Sequence, residues 1–349
     1  MYLSVELSKL VVKNRISLEE LSGRTLAIDA YNVLYQFLSI IRQPDGTPLM
    51  NNSGNVTSHI SGLFYRTIEL VESGIMPIYV FDGIPSVLKQ KTIEYRMRRR
   101  EAALDAWKAA KEAGDVEEAR KHAQASTRIN KYIVESSKEL LKRMGIPYIN
   151  APSEGEAEAC YMCKKGMVYA AVSQDYDTLL LGSPIIIRNL TISGRRKLPK
   201  KDIYVEVVPE ILLLDDTLKS LGISQRQLIW VGILLGTDFN DGITGVGPKT
   251  AVKIAKASNS IEDVKKYVKA KYNAEFELDI REVEELFLNP EVCDPDSKAL
   301  GGMLTPSREA LLKFMCDENG FSEERVLKSI EKLVNRSTLT KQHRIDSWM

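Results

Sequence analysis

Seven acidic residues stand at the ends of apolar runs, where a parallel sheet would deliver them to one place. Asp29 closes Thr25-Leu-Ala-Ile, Asp82 closes Ile78-Tyr-Val-Phe, and Asp175 and Asp177 follow the run from Tyr169 to Ser173. Glu154 and Glu156 lie in the Ser-Glu-Gly-Glu stretch 153–156, and Asp238 ends Gly236-Thr-Asp. Short apolar stretches that end in a polar residue read as buried strands of an α/β sheet, and such sheets bind ligands outside the carboxyl ends of their strands. Carboxylates gathered there repel one another unless protons or hard divalent cations hold them, and an all-oxygen donor set suits magnesium or manganese. Two magnesium ions roughly 4 Å apart stabilise both the attacking and the leaving oxygens of a phosphodiester displacement. That chemistry needs no histidine or cysteine, and none is well placed here.

Each motif also has a plainer reading. Ser153 and Glu156 form the S-x-x-E pattern of a capping box, opening a helix that continues through Tyr161. Yet Glu154, Glu156 and Glu158 put three negative charges in the first turn and a half, and a helix dipole offsets only ~0.3–1 kcal/mol for each. Capping needs fewer, so Glu154 and Glu156 are read as ligands of a metal or of its water, and Glu158, one turn on, is left open. An Asx-turn leaving a strand explains either Asp175 or Asp177 alone. Two aspartates one residue apart present both carboxylates on one side of an extended loop.

The elements that must position these groups follow from periodicity. Residues 26–82 alternate short strands with a helix over Ser58 to Glu72, the pattern of a βαβ unit. Between Leu88 and Met144 the composition turns to Ala, Glu, Lys and Arg without a strand signal, and Ala113-Gly-Asp115 divides this insert into two helical arms. Its start, Lys89 to Arg100, carries six basic residues against Glu94 alone, which suits contact with a polyanion through counterion release. Strands are expected over Met167–Ser173 and Pro184–Asn189, then a hairpin from Thr191 to Val208 with Gly194-Arg-Arg-Lys197 at its tip. A helical region runs from about Ser224 onward. Within it, Gly245-Val-Gly247-Pro-Lys249-Thr-Ala follows Asp238 and has the form of a helix-hairpin-helix, whose glycines let backbone N–H groups approach a DNA phosphate. At the end of the chain, Gln342, Ile345, Trp348 and Met349 sit on an otherwise polar tail; such isolated apolar groups fit a short anchoring peptide better than a frayed end.

Composition bounds the rest. With 349 residues and 44% hydrophobic content there is room for one large or two modest domains. The longest apolar run, Leu228 to Leu235, is far short of the ~20 residues that cross a bilayer, and no signal peptide precedes Glu6 and Lys9, so an intracellular location is expected. Four cysteines and three distant histidines make a poor zinc site; the Cys160/Cys163 pair reads as small buried apolar residues. The net charge of +1 argues against a strongly basic nucleic-acid binder only on average, since charge set aside for metal leaves a basic excess, clustered at 89–100 and 195–201.

Taken together, IDAYNVLYQFL (28–38), RQPDGTPL (42–49), TSHISGLFYRT (57–67), YVFDG (79–83), MGIPY and APSEGEAEA (144–159), SQDYD (173–177), LLGTDF (234–239) and GVGPKTA (245–251) resemble the flap endonucleases of the XPG/Rad2-like 5′-nuclease superfamily, archaeal type. The resemblance implies an α/β fold: a PIN-like, mostly parallel central sheet flanked by helices, with a helical arch insert and a C-terminal helical region carrying the helix-hairpin-helix. It implies metal ligands at Asp29, Asp82, Glu154, Glu156, Asp175, Asp177 and Asp238, with two Mg2+ ions for which Mn2+ substitutes, and a K+ ion at the helix-hairpin-helix. Lys89 and Arg96 are implied to steer the scissile phosphate and Tyr35 to stack on the substrate. DNA contacts are implied at Arg42, Arg66, Glu154, Gly236, Asp238, Gly245, Gly247 and Lys249. Gln342, Ile345, Trp348 and Met349 resemble the peptide that binds the sliding clamp, PCNA. Two positions depart from the pattern: the chain begins Met1-Tyr2-Leu3 where members typically begin Met-Gly, and Gly83-Ile-Pro-Ser replaces the usual Gly-Lys-Pro-Pro, removing one positive charge beside the site.

The expected organisation is an N-terminal nuclease region over 1–102, the remainder of an arch that starts near 84 over 103–140, an internal nuclease region over 141–262 with the helix-hairpin-helix near 238–257, a C-terminal helical region over 263–334, and a clamp-binding tail over 335–349. The expected activity is a structure-specific 5′ flap endonuclease with 5′–3′ exonuclease activity, acting in Okazaki fragment maturation and long-patch base excision repair. Branched DNA with a 5′ flap and the clamp are its partners, without membrane contact, as a monomer when free, cytoplasmic in the archaeal type and nuclear in a eukaryote. A non-catalytic clamp-tethered DNA-binding protein and a PIN-like ribonuclease are the alternatives.

Overall fold

The computed structural model describes residues 7–191, 194–197, 204–296 and 300–346, with side chains described over 7–191, 207–296 and 300–335. In chain order it forms β1 (Asn14–Arg15), β2 (Thr25–Asp29), α1 (Ala30–Ile40), α2 (Ser58–Glu72), β3 (Met76–Phe81), α3 (Gln90–Glu112), α4 (Val116–Ala125), α5 (Lys131–Met144) and β4 (Tyr148–Asn150). Next come α6 (Gly155–Lys164), β5 (Ala170–Val172), α7 (Asp177–Leu180), β6 (Ile185–Arg188), β7 (Gly194–Lys197), β8 (Tyr204–Val207), β9 (Glu210–Leu213) and α8 (Leu214–Leu221). The chain closes with α9 (Gln225–Leu235), α10 (Pro248–Ala257), α11 (Ile261–Tyr272), α12 (Ile280–Leu288), α13 (Arg308–Leu312) and α14 (Glu323–Asp346). These elements fall into two compact units, one of residues 18–81, 93–150 and 294–349, the other of 1–17, 82–92 and 151–293.

In the first unit β2 pairs parallel with β3, and β3 parallel with β4. Leu26, Ala27 and Ile28 are all fully buried, which is why this strand reads as a continuous apolar run: both of its faces are covered. Helix α2 lays Leu63 and Phe64 into the same core, and its Thr67 hydroxyl pairs with the buried Tyr79 phenol at 2.8 Å. Each such large apolar side chain removed from water contributes roughly 1.5–3 kcal/mol. The arch insert behaves differently. Helix α3 runs 23 residues without burying one of them, and α4, capped by Asp115, sends only Ala119 and Ala123 inward. The Trp107 indole N–H donates to Asp45 O at 3.1 Å and the Lys111 ammonium lies 2.9 Å from the Asp45 carboxylate. Hydrogen bonds from Lys111 and Thr47 hold that carboxyl down at about 2.

In the second unit β5 pairs parallel with β6, while β9 runs antiparallel to both β6 and β1. The mostly parallel sheet expected from the sequence is therefore present with an antiparallel edge, a mixed sheet. The two-residue β1 and three-residue β4 were not anticipated, because such short strands carry no measurable alternation. A second difference concerns the basic triplet Arg195-Arg-Lys197: it lies within β7, paired antiparallel with β8, rather than at the tip of the hairpin, and residues 198–203 lie outside the described residues. Helix α9 buries Leu228 through Leu234 on every face, as expected for a helix packed on all sides. True capping boxes open α9 (Ser224 with Gln227) and α11 (Ser260 with Asp263).

One buried polar pair in the first unit makes stability depend on pH. His59 is fully buried, its Nε2 lies 2.7 Å from the Ser136 hydroxyl, and burial pushes its imidazole down to about 3. A group whose folded pKa is depressed from 6.5 must be neutral in the fold, so its contribution is complete above about 6.5 and is lost as the pH falls toward 3. From pH 7 to pH 5 the loss is about 2 kcal/mol. The Ser136 hydroxyl also donates to Tyr132 O at 2.7 Å, so His59→Leu leaves it a partner. Chemical denaturation at pH 7 and pH 5 should show a stability loss in His59→Leu that is about 2 kcal/mol smaller than in the parent; equal losses would sink this assignment.

Candidate active site

Strand β3 leaves the core at Phe81, fully buried, and the next residue is Asp82. The position after Asp82 admits only glycine. A Cβ on Gly83 would lie 2.2 Å from Ala151 O and 2.4 Å from Pro152 O, and the Gly83 N–H donates to Ser153 O at 2.6 Å. Side by side, the two loops bring the Gly155 N–H within 2.8 Å of Asp82 Oδ1. The capping box expected at Ser153 and Glu156 does not form: Glu154 is the N-cap residue and no side chain caps the helix. Glu156 Oε1 instead accepts the Ser173 hydroxyl at 2.9 Å, and Ser173 in turn accepts the Asp175 N–H at 3.1 Å. Glu158 is fully buried and accepts the Cys293 N–H at 3.0 Å, which marks it as a residue of the fold.

The centre of the cluster is a lysine. Lys89 Nζ lies 2.5 Å from Glu154 Oε2, 3.6 Å from Asp238 Oδ2 and 5.2 Å from the centroid of the Phe239 ring. Burial works against its charge, but the Glu154, Asp238 and Glu156 carboxylates outweigh burial and raise its pKa, so it remains an ammonium. The Thr92 hydroxyl donates to Asp238 O at 2.7 Å, tying the start of α3 to the same loop. Asp82 is exposed to solvent on one side, but protein packed around the other side desolvates it and, with the Glu154 charge, pushes it up to about 6, against the pull of the Gly155 N–H and Lys89.

Among the described residues no three His, Cys, Asp or Glu side chains converge closely enough to hold one ion between them. Three other observations fit a hard cation. All the donors are carboxylate oxygens, Asp82 resists ionisation, and Glu154 Oε1 is buried without a hydrogen-bond partner while its sister oxygen is held by Lys89. Asp82, Glu154, Glu156, Asp175, Asp177 and Asp238 all belong to one unit. Asp29 belongs to the other; it ends β2, and its Oδ1 accepts the Asn32 N–H at 3.0 Å as the N-cap of α1.

The other expected residues are divided between the two units. Arg96 is exposed on α3, and Tyr35 on α1 has the Arg100 guanidinium 5.7 Å from its ring centroid. Arg42 spends its guanidinium internally, on Leu38 O (2.7 Å), Gly46 O (2.7 Å) and the Thr127 hydroxyl (2.9 Å). Arg66 is buried and paired with Glu69 of its own helix at 2.5 Å. Gly236 adopts φ 96°, and a Cβ there would meet Gly242 N at 2.6 Å, so this loop closes only on glycine. It joins α9 to α10 as the expected helix-hairpin-helix, with Gly247 as N-cap, Pro248 at the first turn, Val246 buried and Gly245 and Lys249 exposed. Gln342 and Ile345 fall on the backbone of α14, and Trp348 and Met349 lie outside the described residues. Sequence reasoning gave no role to Ser173, Thr92 or Phe239, although Ser173 lies in SQDYD, Phe239 in LLGTDF and Thr92 in the basic run 89–100.

Over 347 residues the chain is 49% identical to flap endonuclease 1 of Pyrococcus abyssi, covering 99% of this chain and 98% of that one. The chain belongs to the flap endonuclease family. Residues 4–103 of this flap endonuclease match the XPG N-terminal domain and residues 145–238 the XPG I-region. Its fold is similar to that of flap endonuclease-1 from Methanococcus jannaschii, with a TM-score of 0.74 and 41% identity over 96% of this chain and 99% of that one. It is also similar to the catalytic core of Rad2 solved with a DNA substrate, with a TM-score of 0.66 and 25% identity over 94% and 97% of the two chains.

The raised Asp82 pKa carries a sign that can be checked. Above about 6 the carboxylate is charged at a penalty; the penalty shrinks as the pH falls from about 6 toward 3.8 and is absent below. Asp82→Asn keeps an acceptor for the Gly155 N–H and removes the charge. In chelator-treated protein at pH 8 it should raise the melting midpoint by a few degrees, on the order of 1 kcal/mol after screening at this solvent-accessible carboxylate. The gain should vanish at pH 4; a lower midpoint at pH 8 would show that Asp82 is not strained.

Proposed function

We propose that this flap endonuclease is a structure-specific DNA nuclease that cuts 5′ flaps with magnesium, with accompanying 5′–3′ exonuclease activity, in Okazaki fragment maturation and long-patch base excision repair. The observation that carries this reading is Lys89, whose ammonium lies against Glu154 and Asp238 beside an unpartnered carboxylate oxygen. Asp82, Glu154, Glu156, Asp175, Asp177 and Asp238, with Asp29, are the residues that would hold two divalent ions. Such ions supply an activated water and stabilise the charge on the phosphate oxygens. Lys89 offers a fixed positive charge to the scissile phosphate, and Arg96 offers a second from the exposed face of α3. Tyr35 presents a flat ring for a nucleobase.

Duplex contacts are assigned to Gly236, Gly245, Gly247 and Lys249; of these Gly245 and Lys249 are exposed, and the loop would meet phosphates with the help of a K+ ion. Arg42 and Arg66 join them by giving up internal acceptors. No helix among the described residues is long and apolar enough to cross a membrane; the working form is a monomer of the cytoplasm, or of the nucleus in a eukaryote.

The deciding experiment incubates labelled double-flap DNA, a matching RNA and a blunt duplex, each with magnesium and with chelator. Flap cleavage that disappears with chelator is expected; RNA cleavage without flap cleavage would instead make the chain a ribonuclease. Asp175→Ala should lower flap turnover at least ~1000-fold, the several kcal/mol that metal-ion catalysis supplies, while flap affinity stays within a few-fold. Near-normal turnover in that variant would remove the two-metal assignment.

The tail is proposed to anchor the sliding clamp, PCNA, through Gln342, Ile345, Trp348 and Met349. Deleting residues 341–349 should abolish stimulation by the clamp and spare basal cleavage. Clamp affinity that survives the deletion in a pull-down would put the anchor elsewhere.

A further inference from the structure

Tyr176 stands between Asp175 and Asp177 and has no part in the chemistry above, yet it is only 2% exposed. A cationic clamp surrounds it. The Arg188 guanidinium lies 4.0 Å from its ring centroid and Nη1 donates to its phenol oxygen, while Lys13 Nζ approaches the ring to 5.0 Å. The same arginine reaches past the tyrosine: Nε donates to Gln174 O at 3.1 Å, and Nη1 lies 3.4 Å from Glu210 Oε2. Arg188 and Glu210 are register partners in the antiparallel ladder of β6 and β9, so the clamp is mounted on the sheet. One rigid guanidinium thus holds the residue before Asp175 and the residue between the two aspartates.

We propose that Arg188 is a positioning residue which, by clamping Gln174 and Tyr176 to β6, sets where the Asp175 and Asp177 carboxylates stand and so tunes the affinity of the site for its divalent cation. The proposal rests on the reading of those aspartates as cation ligands. The planar fork of an arginine is required, because a lysine cannot stack on the ring and also serve two oxygens and a carboxylate. Groups that orient metal ligands in this way typically change metal affinity 10–100-fold when removed.

The test uses the full-length protein with Arg188→Gln, Arg188→Lys and Tyr176→Phe. Mn2+ binding is measured without DNA from the electron paramagnetic resonance signal of free Mn2+, and flap cleavage is titrated with Mg2+ to separate kcat from KM. Arg188→Gln should weaken Mn2+ binding at least ~10-fold and shift the Mg2+ midpoint by the same factor, with the KM for flap DNA at saturating Mg2+ unchanged. Arg188→Lys should restore little of the loss, and Tyr176→Phe, which keeps the ring, should shift less than Arg188→Gln. A lower melting midpoint with parental Mn2+ affinity would reduce the clamp to a structural pair and overturn the proposal, as would a raised flap KM with unchanged Mn2+ affinity. Should Arg188→Gln not fold, Arg188→Lys and Tyr176→Phe are read by the same criteria. An unmodified protein that binds no Mn2+ would sink the metal reading together with this one, whereas normal binding there and no shift in the variants would sink this one alone.

Discussion

Repulsion among carboxylates beyond the strand ends is the constraint on which the second unit depends. Like charges in a partly dry site cost free energy that burial elsewhere has to offset, and the chain meets this cost locally. Lys89 brings an ammonium to Glu154 and Asp238, the Gly155 N–H steadies Asp82, and the Ser173 hydroxyl takes one oxygen of Glu156. The remainder is informative. Glu154 Oε1 is buried with no partner, and Asp82 is reluctant to ionise, so the compensation is partial. A site of this kind is held short of positive charge, and that shortage makes it receptive to cations.

Backbone geometry enforces the crowding. Gly83 lets the strand-end loop lie against residues 151–153 at distances no side chain would allow. The Gly236 and Gly242 pair closes the loop beneath Asp238 in the same way. In both places a tight approach of two backbones, rather than a side-chain contact, fixes where an acidic residue emerges. The Asp82 charge is one that the fold alone would do better without, as its raised pKa shows.

The residues that end strands were legible because burial on both faces leaves a run with no polar interruption until the sheet is left, as at Ile28 and Asp29 or Phe81 and Asp82. The helix-hairpin-helix was legible because Gly and Pro punctuate it at positions with backbone reasons. Local pattern failed where a long-range partner decides the outcome. Ser153 and Glu156 satisfy a capping rule, yet Glu156 bonds Ser173, seventeen residues on, and Ser153 lends its carbonyl to Gly83. Likewise nothing in Glu158 itself announces that Cys293 will bond it. The basic triplet at 195–197 looked like a turn because Gly194 precedes it, whereas pairing with β8 made it a strand.

Charge on the arginines shows the same division between local and long-range determinants. A net charge of +1 conceals where attraction to a polyanion resides. Arg42 and Arg66 sit in motifs that suggest contact with DNA, but their guanidinium groups already meet acceptors inside the unit that carries them, and burial lowers the pKa of Arg42. Helix α3 is the opposite case: none of its 23 residues is buried, and its ties to the rest of the chain include polar contacts such as those of Trp107 and Lys111 with Asp45. Arg96, Arg98 and Arg99 are exposed along it, and the Arg99 guanidinium lies 5.7 Å from the ring centroid of Tyr95, itself 58% exposed. An aromatic face interleaved with weakly hydrated guanidinium groups is a surface suited to stacked bases and phosphates together. The arch thus displays its guanidinium groups to solvent, whereas Arg42 and Arg66 already spend theirs on acceptors inside their unit.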